Sequence, residues 1–234
     1  ASGCLAPDRP VGLTVTLNDP RQAGTNILVN LLRQQGISVA GGVGYGNTPA
    51  NLQVLAEHDS EPLSKLVTQM LKKSDNLIAN TLFKTLGNAY FHIPGSWVSG
   101  LQAMRAILGP RTGIDFSALT ILDGCGLSHD NQVSPLQFVS LLDYAYRALP
   151  SFNLFYNALP RSGIDGTLRF RLGGSTQDKI HAKTGSLAGA SSLAGYIQTA
   201  SHQTLVFAIL VNGPGNQGTY HMLEDRICKF LAMK

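Results

Sequence analysis

From Thr204 to Val211 the chain reads TLVFAILV, and this stretch restricts the fold more than any other. An apolar run of strand length, closed by Asn212-Gly-Pro-Gly-Asn-Gln217, predicts a buried β-strand. Upstream, Gly195-Tyr-Ile-Gln-Thr199 is a second β-prone run, joined to the first by the polar turn Ala200-Ser-His-Gln203. The two predict an antiparallel hairpin in a sheet centre. The strand before them carries Lys183-Thr-Gly-Ser186, which sets a cation, two hydroxyls and a glycine at a strand edge. That set suits a carboxylate-ended peptide lying alongside as an added strand, with Gly185 admitting another backbone. It equally describes an ordinary edge strand guarded by a lysine.

At the other end, Val11, Leu13, Val15 and Leu17 recur with the period of a half-buried strand. Asn18-Asp-Pro20 then starts a helix whose apolar stripe is Ile27, Leu28, Leu31 and Leu32, with Gly36 as its stop. Ile37–Val39 and Gln53–Ala56 read as short strands. The glycine-rich segment from Gly41 to Gly46 reads as a surface turn, because no helix opening with Lys-Ser/Thr follows it. Helical periodicity covers Leu63 to Lys73, Leu77 to Phe91, Val98 to Leu108 (stopped by Gly109-Pro110), Leu136 to Leu149 and Phe152 to Leu159. Lys72 and Lys73 stand where a helix C-terminus favours cations. Ser74-Asp-Asn76 lies between two of these helices, and helix capping is one sufficient reason for it. A closing helix from Thr219 to Met233 would bury Leu223, Ile227, Phe230 and Leu231. The order predicts an α+β fold: an antiparallel sheet, built from both ends of the chain and flanked by helices, with a helical middle region.

Charge and cysteine usage exclude several functions. The net charge of +4 includes no stripe of Lys and Arg interleaved with aromatics, so no nucleic-acid partner is expected. No apolar stretch reaches transmembrane length. The three cysteines and six histidines are scattered, so no metal site and no cofactor are expected.

Ser74-Asp-Asn76 followed by Lys183-Thr-Gly185 is a pair found in class A β-lactamases and penicillin-binding proteins. With Leu71-Lys-Lys-Ser-Asp-Asn76, Asp123-Gly-Cys-Gly-Leu-Ser128, Gly163-Ile-Asp-Gly-Thr-Leu168 and Ala182-Lys-Thr-Gly-Ser-Leu187, the chain resembles the class C low-molecular-weight penicillin-binding proteins. These are the D-alanyl-D-alanine carboxypeptidases and endopeptidases of the penicillin-binding protein 4 type, and the resemblance runs from about Cys4 to the end. It implies an incomplete β-lactamase/transpeptidase-like domain over 1–234, with strands in 9–60, a helical region in 61–160 and the sheet and last helix in 161–234. It implies a periplasmic serine peptidase acting on peptidoglycan stem peptides and acylated by β-lactam antibiotics. Ser74, Asn76 and Lys183 would be catalytic, and Thr184, Gly185, Ser186, His129 and Asp165 would bind substrate.

The chain departs from that family in three places. The family's nucleophile and base belong to a Ser-x-x-Lys motif, which these 234 residues do not contain; Thr81-Leu-Phe-Lys84 comes nearest, with the wrong nucleophile. The resemblance therefore implies an N-terminal half bearing the nucleophile, without which this chain is inactive. A non-catalytic remnant that binds peptidoglycan peptides or β-lactams is the alternative. Cys125 stands where the family has serine, and His129 where it has arginine, which implies weaker selectivity for a carboxylate-bearing side chain. Cys4 is expected to pair with a cysteine upstream of Ala1, leaving Cys125 and Cys228 reduced and buried.

Overall fold

The computed structural model describes residues 17–47, 49 and 51–234, so the expected strand ending at Leu17 and Cys4 lie outside or at the edge of the described residues. The chain divides into two compact units, residues 1–58 and 59–234. In the first, helix α1 (Pro20–Gln34) begins as its sequence requires: the Asp19 carboxylate accepts from the N–H groups of Arg21 and Gln22, and Pro20 occupies the first turn. The strands expected at Ile37–Val39 and Gln53–Ala56 are not formed. A strand exists only where a neighbour takes its hydrogen bonds, and no described strand runs beside them.

The second unit opens with helices α2 (Leu63–Lys73), α3 (Asn76–Phe91), α4 (Trp97–Thr112), α5 (Pro135–Ala148) and α6 (Phe152–Ala158). Ser134 and Gln137 close a capping box on α5, with Pro135 in its first turn. Gly109-Pro110 does not end α4, which continues to Thr112 and stops at Gly113, where φ is 67°. Pro110 lies in the last turn, where it can donate no bond to the carbonyl four residues back, and the helix closes soon after at the left-handed glycine.

Strands β1 (Ile180–Leu187), β2 (Ala190–Gln198) and β3 (Thr204–Asn212) follow, antiparallel and in that order among the described residues. Their period of two sorts side chains onto two faces. Ile180, Ala182, Leu193, Ile197 and Phe207 pack with Cys228 and Ala232 of the last helix, α7 (Gln217–Ala232). Tyr196 points to the opposite face, among Leu142, Phe152, Phe155 and Leu159 of the α5–α6 region, and its hydroxyl donates to the Leu142 carbonyl at 2.8 Å. The sheet is thus a central layer with helices on both sides.

The closing helix buries only part of the stripe its apolar residues suggest. Tyr220, Glu224, Cys228 and Ala232 are buried, Leu231 packs on the same core and Ile227 is half-buried, whereas Leu223 and Phe230 are about half exposed, at 48% and 55%. The buried stripe also carries an ionic contact. Glu224 is fully buried, accepting from the Ser191 hydroxyl at 2.7 Å and the Arg171 guanidinium at 2.8 Å. Arg171 also reaches Asp225 at 2.7 Å, so one cation holds two carboxylates against β2. Removing one partner of a buried pair costs about 3–5 kcal/mol, because it strands the other charge. Arg171→Met should therefore lower the unfolding free energy by about 3 kcal/mol in urea denaturation. A loss below about 1 kcal/mol, the range of exposed ion pairs, would show that α7 is held by its apolar contacts alone.

Candidate active site

The site forms where the outer edge of β1 changes from covered to open. Pro160–Ser162 runs antiparallel to the start of the strand: the Ser162 N–H donates to the Ile180 carbonyl at 2.9 Å, and the Ala182 N–H donates to the Pro160 carbonyl at 3.0 Å. Backbone groups alternate sides along a strand, so those of Thr184 and Ser186 point to the same edge. Among the described residues the N–H groups of Thr184 and Ser186 take no partner there. Lys183, Thr184, Gly185 and Ser186 thus occupy the open half of an edge whose first half is already paired. Beside Ser186, at the turn between β1 and β2, lies a depression of about 370 Å³ bounded also by Gly189, Gly215 and Gln217.

Lys183 projects from the face that carries His181 and Tyr196, towards the helices. Its Nζ donates to the Ser74 hydroxyl at 2.8 Å and to the Thr184 carbonyl at 2.8 Å. Burial pushes its pKa below the usual lysine value of 10.5. Gly185 follows on the same face, where a Cβ would meet the Ser192 hydroxyl at 2.4 Å and require it to turn away. On the other face, the Thr184 hydroxyl donates to that of Thr167 at 2.7 Å.

Ser74 ends α2 in the left-handed conformation, with φ 56° and ψ 49°. A side chain there costs about 1–2 kcal/mol that glycine would avoid. The serine places a hydroxyl on Lys183, whereas a glycine would end the helix equally well and place none. Capping of α3 falls to Asp75, whose carboxylate accepts from the Ile78 N–H at 3.1 Å. That bond, with one from Gln69, holds the Asp75 carboxyl below its usual range. Asn76 is the first residue of α3, exposed, and its amide takes no partner among the described residues. Capping therefore accounts for Asp75 and leaves Ser74 and Asn76 free for other work.

Two expected substrate contacts lie elsewhere. Asp165 is engaged on both oxygens, by Lys72 at 2.7 Å and by the side chain of Arg161 at 3.1 Å, so it anchors the fold instead of facing an open site. Burial alone would raise its pKa, and the bonds from Lys72 and Arg161 outweigh that and lower it. His129 is exposed and lines a depression of about 630 Å³ with Ala118, Gln132, Gln137 and Asn212. Asn212 ends β3, and among the described residues no hydrogen bond joins His129 to Lys183 or Ser74. Cys228 is buried and free, its thiol pushed up to about 12 by burial, while Cys125 is free but only half-buried. Among the described residues no group of His, Cys, Asp and Glu could hold a metal ion, and no helix is long and apolar enough to cross a membrane. Sequence reading passed over Thr167 and the second role of Lys72, because their partners, Thr184 and Asp165, are remote in sequence.

The sequence pattern of the D-Ala-D-Ala carboxypeptidase 3 (S13) family matches residues 1–233. The D-alanyl-D-alanine carboxypeptidase DacB of Haemophilus influenzae is 36% identical over 215 residues, which are 90% of this chain and 44% of the relative. A D-alanyl-D-alanine carboxypeptidase of an Actinomadura species is 33% identical over 222 residues, covering 91% of this chain and 40% of that protein. The crystal structure of penicillin-binding protein 4 from Haemophilus influenzae, complexed with a β-lactam, superposes with a TM-score of 0.85 at 30% identity, over 97% of this chain and 54% of the other. The chain thus spans less than half the length of these two curated relatives, and it has their α+β, transpeptidase-like fold.

The environment of Lys183 makes a prediction about pH. Because folding lowers its pKa, the unfolded chain binds more protons between the folded value and 10.5, so this residue makes stability rise with pH across that window. A Lys183→Met variant should lose that rise in urea denaturation from about pH 8 to 10.5, the upper bound being the free lysine value. Parallel stability–pH curves for the two proteins would mean that Lys183 is solvated like any surface lysine.

Proposed function

The chain belongs to the D-Ala-D-Ala carboxypeptidase 3 (S13) family, and from that premise we propose that it is the strand-bearing part of a serine-type D-Ala-D-Ala carboxypeptidase/endopeptidase. Its substrates are peptidoglycan stem peptides, it works in the periplasm, and β-lactams acylate the whole protein. The nucleophile comes from a Ser-x-x-Lys segment outside these 234 residues. One observation carries the reading: Lys183 donates to Ser74 at 2.8 Å beside a strand edge whose N–H groups at Thr184 and Ser186 are open.

The chemistry follows from those groups. The substrate lies antiparallel along Lys183–Ser186, completing the ladder that Pro160–Ser162 begins. Ser186 donates its hydroxyl hydrogen to the substrate's terminal carboxylate, Thr184 does the same once the Thr167 hydroxyl turns to donate to it instead of accepting, and the Ser186 N–H stabilises the oxyanion. Asn76 bonds the substrate amide. The nucleophile's oxygen forms an ester with the penultimate D-Ala carbonyl, the C–N bond breaks, and Ser74 passes a proton to the departing amine. Lys183 keeps the Ser74 hydroxyl oriented and adds positive potential near the carboxylate. Water then cleaves the ester and regenerates the serine.

Two measurements test this. The 234-residue chain alone should not be covalently labelled by a fluorescent penicillin. The full-length protein should be labelled, and Lys183→Ala or Asn76→Ala should slow its acylation by about a hundredfold or more, the scale of a lost transition-state donor. Labelling of the isolated chain that Ser74→Ala abolishes would instead make Ser74 the nucleophile.

A further inference from the structure

The residues placed at Lys183 belong to elements far apart in sequence, and one short segment touches both. Residues 160–168 run from the β1 edge to a single 3₁₀ turn, Gly166–Leu168. Asp165, just before the turn, takes the Lys72 ammonium at 2.7 Å, two residues ahead of Ser74. The same ammonium donates to the Leu159 carbonyl, and its side chain is 17% exposed. Gly166 has φ 59° and passes so close to α2 that a Cβ would stand 3.1 Å from the Lys72 carbonyl. One residue further, Thr167 accepts from the Thr184 hydroxyl at 2.7 Å. Arg161, at the other end, bonds both Asp165 and Asp178, at 3.1 and 3.2 Å.

We infer that Lys72 and Asp165, with Gly166 and Thr167, form a clasp that sets the distance between Ser74 and Lys183. Lys72 and Asp165 are positioning residues: the clasp acts through Ser74 and touches no reacting atom. Three details favour this over a general stabilising role. The ion pair lies within one helical turn of Ser74, at the end of α2 that carries it. The adjoining residue of the same segment bonds Thr184, the neighbour of Lys183, so one rigid turn gauges both sides of the gap. The left-handed backbone of Ser74 fixes the direction of its Cα–Cβ bond relative to α2, so a shift of that helix end changes the reach of the short side chain to the ammonium. Exposed ion pairs contribute little, but this one is largely shielded and shares its cation with a backbone carbonyl.

The inference rests on the proposed roles of Ser74 and Lys183, and the experiment separates the two ideas. The rate of acylation by a β-lactam is measured on the full-length protein for Lys72→Met, Asp165→Asn and Lys72→Arg, each alone and combined with Ser74→Ala, together with thermal melting. Lys72→Met and Asp165→Asn should each slow acylation about tenfold or more, as expected when a catalytic group is displaced by a fraction of an ångström. Lys72→Arg, which keeps the ion pair, should recover most of the rate. In the Ser74→Ala background, Lys72→Met should change the rate less than about twofold, since residues acting through one group are not additive. The clasp is overturned if the Lys72 effect is undiminished without the Ser74 hydroxyl, or if the single variants acylate normally while Ser74→Ala does not. If a variant melts too low to assay, Lys72→Arg decides: acylation slowed as much as by Lys72→Met, in a protein melting as the wild type does, overturns it too. Normal acylation by Ser74→Ala itself removes the assigned role of Ser74, and the clasp falls with it.

Discussion

A strand edge must be satisfied or left open, and most of this structure follows from how β1 resolves that choice. Unpaired backbone groups are costly where water cannot reach them. Pro160–Ser162 pairs with β1 at Ile180 and Ala182, where the strand is buried, and leaves it at Lys183, where the strand emerges. The same chain then turns through Gly166 and returns to the strand with Thr167. The covering segment is therefore also the boundary of the open edge. Lys183 stands at that boundary, shielded enough for its pKa to fall and next to the open part of the edge.

The energetics divide the second unit into a support and a working edge. On the α7 side, packing is dense and closed by a buried network in which Arg171 meets two carboxylates. On the other face, Tyr196 sits among aromatics of α5 and α6, with Phe152 5.3 Å and Tyr156 5.6 Å from its ring centre. These two cores hold β2 rigid, and β1 inherits its position from β2 through eight paired residues. Polar side chains on β1 can then face a gap without loosening the sheet.

Much of this was legible in the sequence because it depends on local pattern. The hairpin, the α1 and α5 caps and the helix boundaries near Ser74 all rest on neighbours within a few residues. Long-range ionic contacts were not legible. Glu224 reads as a solvent-facing charge until Arg171 is placed beside it, and the two are buried together under α7. Asp165 reads as a ligand group until Lys72 occupies it, and Lys72 reads as a helix-end cation until Asp165 arrives. Each misreading treats a charge as free when a remote charge has claimed it. The placement of His129 beside Asn212 has the same origin, since a turn's sequence does not state which strand it packs on.

The order of Ser74, Asp75 and Asn76 has a physical reason that composition alone does not give. Two helices meet at this tripeptide, and only its middle residue can cap the second, because a cap carboxylate must fold back onto the N–H three residues on. Asp75 does so, which points its side chain along α3 and fixes the backbone around it. The residue before it closes α2 in the left-handed conformation, and its hydroxyl accepts from Lys183. The residue after it starts α3 without being its cap, so its amide is free to face outwards. Exchanging Ser74 and Asp75 would keep a cap on α3, since serine caps too, but it would withdraw the hydroxyl from Lys183. Stability of the helix junction and presentation of two uncommitted polar side chains are thus one constraint, imposed by the geometry of a cap.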